Sequence, residues 1–458
     1  MPVTRPKILV VGGGFAGVEC LHRLERALRP AEAELTLVTP TDYQLYLPLL
    51  PHVAAGVLTP QSVAVSLRRR LRRTRIVPGG ANGVDTAARS VEVHTTAGTT
   101  VHLPYDHLVL AAGSTTRTFD IPGLAEHALG MKTLAQAAYL RDHVISQLDL
   151  AAVATDEAER AARMRFVVVG GGYAGVETAA CLQRLTAAAT ARFPRLDPGL
   201  LEWHLVDLAP KLLPELGDRL GAKAMETLRR RGVRFSLNTS VRAVTPESVT
   251  LTDGRVLPTR TLVWTAGVAA GPLVGTLDGP TVRGRLRTTA ELTVPGSPGV
   301  FAVGDAAAVP DLAVGGDAIT PPTAQHAQRQ GKAVARNLVA RLRGAPLRPY
   351  HHRDLGLVVD LGGTDAVSKP LGVELSGVPA QLVARGYHVM ALPTLTARAR
   401  VLTNWALNAT TGDDFVRTGF QEGRPATLQD FERVGARPAG PDAGRPGSAP
   451  DTPRPDPA

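Results

Sequence analysis

Two stretches of this chain carry the residues needed to hold a dinucleotide. KILVVGGGFAGVE places Gly12, Gly14 and Gly17 after an apolar run and at the start of a helical pattern, and RFVVVGGGYAGVE repeats the arrangement with Gly170, Gly172 and Gly175. At this spacing the glycines allow a tight turn and let the backbone approach a pyrophosphate, while the helix that follows offers amide donors and the positive end of its dipole. Phe15 and Ala16, and Tyr173 and Ala174, fill the same places in the two copies. One such turn is weak testimony; two matching copies strengthen each other. The pattern also asks for an acid at the end of the second strand, to hold ribose hydroxyls. Asp207 stands there in the second copy, displaced by a loop containing Pro194 and Pro198, and it favours NADH because it would repel the 2′-phosphate of NADPH. In the first copy the place belongs to Thr39, with Asp42 as the nearest carboxylate, so either Thr39 supplies a hydroxyl or Asp42 reaches round. Two residues past each last glycine comes a glutamate, Glu19 and Glu177. A carboxylate there is stabilised by the helix dipole by about 0.3–1 kcal/mol. For Glu177 a catalytic reading stands beside that one, because it points from the first helical turn toward the place of a nicotinamide.

The elements that must position these residues follow from periodicity. Lys7 to Val11 is a β-branched apolar run, a helical pattern extends through Leu28, and Glu34 to Val38 is a second strand. This is the β-α-β unit of a right-handed parallel crossover. The second copy repeats it, with a helix through Leu185 and a strand ending at Asp207. Val91 to Leu110 and Val233 to Val263 are short strands with turns, and Asp253–Arg255 marks a hairpin. An Ala- and charge-rich stretch from Leu148 to Arg165 is expected to be a helical lead-in to the second unit. The expected fold class is α/β: two Rossmann-like dinucleotide-binding domains of three-layer ββα architecture with β-meander insertions, plus a C-terminal helical and β extension.

Composition narrows the function. A chain of 458 residues exceeds one compact core. No apolar run approaches the roughly 18 residues of a membrane span, and MPVTRPKILVVGGG enters a buried strand without a secretory leader, which predicts a cytoplasmic protein. The net charge of +10 suits anionic ligands or surfaces. Its densest cluster, Ser66 to Arg75, lacks the interleaved aromatics of a nucleic-acid groove. It is expected to be a solvated helix face, with contact to anionic lipid as the alternative. Cys20 and Cys181 belong to different motifs and form no CxxC, which argues against a metal cluster, a structural disulfide or a redox-active dithiol. Residues 437–458 are rich in Pro, Gly, Ala, Asp and Arg without periodicity and are expected to be disordered.

A third motif assigns the two turns. VFAVGDAAAV sets Gly304 and Asp305 after a buried strand and resembles the flavin-binding signature of flavoproteins with two dinucleotide domains, in which the aspartate meets the ribityl chain of FAD. YDHLVLAAGS, with Ala112 and Gly113, and LVWTAGV, with Ala266 and Gly267, are similar to the segments by which that superfamily returns the chain between domains. The resemblance assigns Gly12, Gly14, Phe15, Ala16, Gly17, Thr39, Ala112, Gly113, Gly304 and Asp305 to FAD. It assigns Gly170, Gly172, Tyr173, Ala174, Gly175, Glu177, Asp207, Ala266 and Gly267 to NADH.

Over most of residues 6 to 420 the chain resembles the type II NADH:quinone oxidoreductases. The likeness rests on DYQLYLPLLPHVAAG (Asp42 to Gly56), PPTAQHAQRQGKAVARNL (Pro321 to Leu338), YHHRDLGLVVDLGGTDAV (Tyr350 to Val367) and VLTNWAL (Val401 to Leu407). It implies that Ala324 and Gln325 lie at the isoalloxazine and that Gln330 lies in the quinone-pocket region, with Glu177, Gln325 and Gln330 as catalytic residues. The chain departs from the pattern at Arg329, Gln44 and Leu47. The implied reaction is hydride transfer from NADH to FAD, then two-electron transfer to a membrane quinone, menaquinone or ubiquinone, in a respiratory chain and without proton pumping. The missing cysteine pair argues against sulfide:quinone oxidoreductases and disulfide reductases. A soluble NADH-dependent reductase of the ferredoxin or rubredoxin type and an NADH-sensing flavoprotein are the alternatives.

The implied FAD domain is residues 1–130 and 285–345, and the NADH domain is 131–284. Residues 346–436 form a C-terminal region facing quinone, membrane or a second subunit. Ser376 to Leu407, with Tyr387, Trp405 and arginines around Pro393, suits an interfacial helix pair on the inner face of the cell membrane, or else a pair packed on the protein or in a homodimer.

Overall fold

A computed structural model describes residues 5–352, 355–419 and 428, so the expected tail at 437–458 and most of 420–436 lie outside the described residues. The first glycine motif begins where β1 (Lys7–Val11) ends, with Ile8 to Val11 buried. It leads into α1 (Phe15–Ala27), and β2 (Glu34–Thr39) returns in parallel with Val11 beside Val38. β3 (Arg75–Asp85), β4 (Ser90–Thr95), β5 (Thr100–Pro104), β6 (His107–Leu110) and β11 (Val300–Ala302) complete a seven-stranded sheet in the order β11-β6-β1-β2-β3-β4-β5. Its first five strands run parallel and the last two are an antiparallel extension. β11 joins from about 190 positions beyond β6, so the first domain is built from both ends of the notional insertion.

The second domain repeats the plan. α2 (Leu134–Val153) opens on a capping box between Thr133 and Gln136. β7 (Arg165–Val169), α3 (Tyr173–Thr190), β8 (Glu202–Val206), β9 (Val233–Ser236) and β10 (Thr261–Trp264) follow. Strand Leu129–Gly130 and then β10, β7, β8 and β9 form a parallel sheet. Strands at 241–244, 248–251 and 256–258 make the anticipated meander, turning at Asp253 to Arg255.

The Arg-rich segment differs from expectation. Only Leu67–Arg70 is helical, because the Glu25 carboxylate takes the amides of Arg72, Arg73 and Thr74 that would continue the helix. Arg70 is buried against Glu19, while Arg68, Arg69, Arg72, Arg73 and Arg75 are exposed, as expected of a solvated cluster.

After α4 (Ala324–Leu342), which packs along α1, the chain forms a small antiparallel sheet of β12 (Val358–Asp360), β13 (Ala366–Ser368) and β14 (Leu375–Ser376). Helices α5 (Val378–Ala391) and α6 (Leu395–Thr411) break at Pro393 as expected. This module is not an appendage. Val359, Leu361, Val367, Leu392, Val401 and Trp405 share one buried cluster with Leu49, Leu50 and the α3 residues Val176 to Leu185. Each such aliphatic side chain contributes about 1.5–3 kcal/mol by leaving water. No helix among the described residues is long and apolar enough to cross a membrane.

Candidate active site

The outer glycines of each turn are required by the protein itself. Gly12 has φ of +112°, and a Cβ there would meet the Ala111 carbonyl oxygen at 2.1 Å; a Cβ on Gly17 would meet the Gly12 carbonyl oxygen at 2.0 Å. Gly170 and Gly175 repeat these constraints against Thr265 and the Gly170 carbonyl. The middle glycines differ. A Cβ on Gly14 or Gly172 would meet nothing within 4 Å, so the bare backbone there faces open space. Gly14 and Gly172 are also the N-caps of α1 and α3, with no side chain capping either helix. Free amides beside an open flank fit a dinucleotide pyrophosphate in both copies.

A cavity of about 330 Å³ lies between the turns. Gly14, Phe15, Ala16, Gly113, Gly304, Asp305 and Ala324 line it from the first domain, and Ala174, Trp264, Thr265 and Gly267 from the second. Asp305 reaches it because Gly304, at φ of +70°, turns the chain sharply after β11. Its Oδ2 accepts from Ser114 Oγ at 2.6 Å, and Lys132 Nζ donates to the same hydroxyl at 2.7 Å. The capping box sets Lys132, whose amide donates to Gln136 Oε1 at 2.6 Å. Ser114, Met131, Lys132 and Trp264 were not singled out from the sequence; only Ser114 carried a signal, as the last residue of the AAGS segment.

Thr39 and Asp207 occupy matching places. A Cβ on Gly13 would meet Thr39 Oγ1 at 2.5 Å, and one on Gly171 would meet Asp207 Oδ2 at 3.1 Å. Asp207 accepts from the Gly171 amide and from the Ala209 amide, the latter at 2.6 Å. Asp42 is exposed. Ala112 packs against the first core and Ala266 against the second domain's outer cluster, while Tyr173 is half-buried at the α3 N-terminus.

Three residues expected to be catalytic separate. Gln325 stays beside the cavity, one residue after Ala324: its Nε2 donates to the Gly356 carbonyl at 3.1 Å and its Oε1 accepts from Arg329 at 3.3 Å, with Tyr387 also in contact. Arg329 continues outward to line a surface cleft, which removes its charge from the flavin side. Gln330 does not line the cavity. It is buried behind Asp305, accepting from the Gly304 amide at 2.7 Å and donating to Thr320 at 3.0 Å. Glu177 does not line it either; its Oε1 accepts the Asp360 amide at 3.0 Å, tying α3 to the C-terminal sheet.

Around Glu177 lies a buried polar knot that the sequence did not announce. Asp360 Oδ2 meets His52 Nε2 at 3.0 Å and Gln381 Nε2 at 2.9 Å, and Trp405 Nε1 donates to His52 Nδ1 at 3.2 Å. Tyr46 and His388 bond at 3.1 Å beside it. Burial pushes the Glu177 carboxyl well above the ordinary carboxylate range, partly countered by the Asp360 amide, with the Asp360 charge raising it further. Burial also opposes ionisation of Asp360, yet the adjacent His52 and donors from His52, Gln381 and the Gly362 amide hold it down to about 2. Burial lowers His388 to about 4. Trp405, expected as an interfacial anchor, is therefore spent inside the protein. Cys20 and Cys181 are free and buried, and burial raises both thiols.

Residues 6–331 match the family model described as pyridine nucleotide-disulphide oxidoreductase. The chain is 33% identical over 422 residues to the type II NADH:quinone oxidoreductase NdhA of Mycobacterium tuberculosis, covering 88% of this chain and 87% of that one. It is 30% identical over 396 residues to the type II NADH:quinone oxidoreductase of Staphylococcus aureus, covering 84% and 94%. The structure of NDH2 from Plasmodium falciparum, solved with NADH, has the same fold, with a TM-score of 0.82, 18% identity and coverage of 90% and 100%. Two dinucleotide turns on one cavity define a two-domain pyridine nucleotide flavoprotein. The chain belongs to the pyridine nucleotide-disulphide oxidoreductase family and, within it, to the type II NADH:quinone oxidoreductases. It is an FAD-dependent oxidoreductase with NADH as substrate.

Proposed function

We propose that this chain oxidises NADH and reduces a menaquinone or ubiquinone at the inner face of the cell membrane, without pumping protons. The observation that supports this reading is the single cavity lined from both glycine turns. FAD bound there supplies the hydride acceptor for NADH and the two electrons for the quinone.

The chain's own residues bind, orient and exclude. The Gly12–Gly17 turn and the uncapped α1 would hold the flavin pyrophosphate, and Asp305, set by Ser114, Lys132 and Gln330, would hold the ribityl chain. The Gly170–Gly175 turn and Asp207 hold NADH, whose adenosine ribose meets the carboxylate. Phe15, Leu47 and Trp264 wall the cavity from water. Burial holds the Glu177 carboxyl well above the ordinary carboxylate range, and its Oε1 is engaged by the Asp360 amide, which leaves Oε2 as the place for a proton. Gln325 orients at the opposite side, held by Gly356 and Arg329.

Peripheral attachment draws on α5 and α6. Val378, Leu382 and Met390 make an exposed stripe on α5, and Leu395 and Leu402 continue it on α6, with Met390 and Leu395 nearly 80% exposed.

Stopped-flow reduction of the purified flavoprotein by NADH, followed by mixing with a short-chain menaquinone or ubiquinone analogue, tests the function. Fast flavin bleaching and fast reoxidation are expected. Fast bleaching with slow reoxidation would retain the FAD and NADH sites and overturn the quinone acceptor.

A further inference from the structure

Outside the active-site cavity, a row of positive charge lines a surface cleft along the outer face of α4. Arg329, Lys332 and Arg336 follow one another at i, i+3 and i+7, so they share one side of the helix. Arg348 and His351 come alongside from the segment after α4, and together they line a cleft of about 700 Å³ that ends at Leu355. The cleft is held in shape from behind. Asn337, buried on the inner side of α4, donates to the Arg348 carbonyl at 2.9 Å and accepts the Arg348 amide at 3.1 Å. Tyr350 and His352 stack beneath it with ring centroids 6.0 Å apart, and Tyr350 is bonded to His326 at 3.1 Å. One carboxylate is near the floor, Asp311 at 3.8 Å from His352. Among the described residues no carboxylate pairs with Lys332, Arg336 or Arg348, whereas many other surface arginines of this chain have an acidic partner. Three cations on one cleft, with no counter-charge among the described residues, repel one another, and that cost is relieved by an anion.

The apolar end of the cleft identifies the anion. Leu355 is exposed, and its carbonyl accepts the amide of Leu371, which is exposed as well and is followed by exposed Val373. A soluble phosphate would fill the basic end and leave these side chains in water. We propose that the cleft binds the phosphate headgroup of an anionic phospholipid, with Leu355 and Leu371 under the start of its acyl chains. The proposal rests on the membrane-facing reading of α5 and α6 and adds a headgroup site to it. It places a lipid beside the Gln325 end of α4, next to the side from which an apolar substrate would enter.

The test is cosedimentation of the FAD-loaded protein with vesicles of phosphatidylcholine alone and of phosphatidylcholine mixed with phosphatidylglycerol. The wild type is expected to prefer the anionic vesicles. A Lys332→Ala/Arg336→Ala/Arg348→Ala variant is expected to lose about a hundredfold of that affinity, at roughly fivefold for each basic side chain near an anionic surface. Its binding to phosphatidylcholine, its melting temperature and its turnover with a short-chain quinone in vesicle-free buffer should stay unchanged. Lys332→Ala alone, a change at one exposed position, should lose about fivefold. The charge-matched control Arg68→Ala/Arg69→Ala/Arg72→Ala removes three exposed arginines elsewhere and should lose less than about threefold. Equal losses in the two triple variants would mean bulk charge and would overturn the proposal. Saturable binding of inorganic phosphate that the cleft variant loses, with vesicle binding retained, would assign the cleft to a soluble phosphate and overturn it too. Failure of the wild type on phosphatidylcholine alone, with anionic binding kept, would refute attachment through α5 and leave the cleft standing.

Discussion

In the first glycine turn, Glu19 lies between Arg70 at 2.7 Å and Arg23 at 2.9 Å. In the second, Glu177 stands at the same offset and, among the described residues, forms no ion pair; its Oε1 accepts a backbone amide, its neighbour is the carboxylate of Asp360, and burial drives it toward the neutral form. The turn fixes where each glutamate begins, and elements far along the chain fix what it can do. Arg70 arrives from a one-turn helix before β3, and Asp360 from the C-terminal sheet. A repeated motif therefore carries a repeated position without a repeated protonation state. One copy became an ion pair that fastens the first domain, and the other became a proton-holding group.

Exchanging each glutamate for glutamine should separate the copies most. Glu19→Gln leaves the Arg70 guanidinium buried with half its partners gone and should cost about 3–5 kcal/mol. Glu177→Gln replaces a protonated carboxyl by another neutral group and should change stability by less than about 1 kcal/mol below the unfolded carboxylate range, and should stabilise the protein at higher pH. The pH dependence gives the sign. With its folded value raised, Glu177 holds a proton that the unfolded chain has released above about 4.5, so stability falls as pH rises from there toward the folded value. Glu177→Gln should remove that decline. Urea unfolding of both variants across pH checks this, and equal losses would erase the distinction.

A smaller effect should separate Thr39 from Asp207. Asp207→Ala should raise the KM for NADH about ten- to a hundredfold, the range of losing charge-assisted hydrogen bonds, and narrow the preference over NADPH. Thr39→Val should leave the KM for NADH unchanged, since it sits under the other turn. Steady-state kinetics with both nucleotides decide; an effect of Thr39→Val on NADH would reverse the assignment of the copies. The smallest change is expected from Ser114→Ala, which removes one donor to Asp305. It should speed flavin loss about fivefold, the equivalent of roughly 1 kcal/mol, as read by the rise of free-flavin fluorescence on dilution.

Both glycine turns, their strands and the meander were legible in the sequence because each is a local pattern: an apolar run, a spacing of glycines, a hairpin turn. Asp305 was legible for the same reason. The true surroundings of Glu177 and Gln330 were not. Gln330 sits on the same helix as Gln325 but faces Gly304, and helical spacing alone does not say which wall a face meets. Ser66 to Arg75 suggested a continuous helix because nothing within it shows that Glu25 will take its amides. Trp405 suggested a membrane anchor until His52, from the other end of the chain, accounted for its N–H. These are contacts between residues from tens to hundreds of positions apart, and sequence periodicity holds no record of them.

The knot of His52 and Asp360 also dictates when the protein can be finished. Its two members are 308 positions apart. At translation rates of roughly 5–20 residues per second, about 15–60 s pass between the synthesis of His52 and that of Asp360. Throughout that interval the first half of the chain has an imidazole without its hydrogen-bond partners and an apolar surface awaiting Val359 and Trp405. The interface between the first domain and the C-terminal module therefore closes only after Asp360 and then Trp405 have been made.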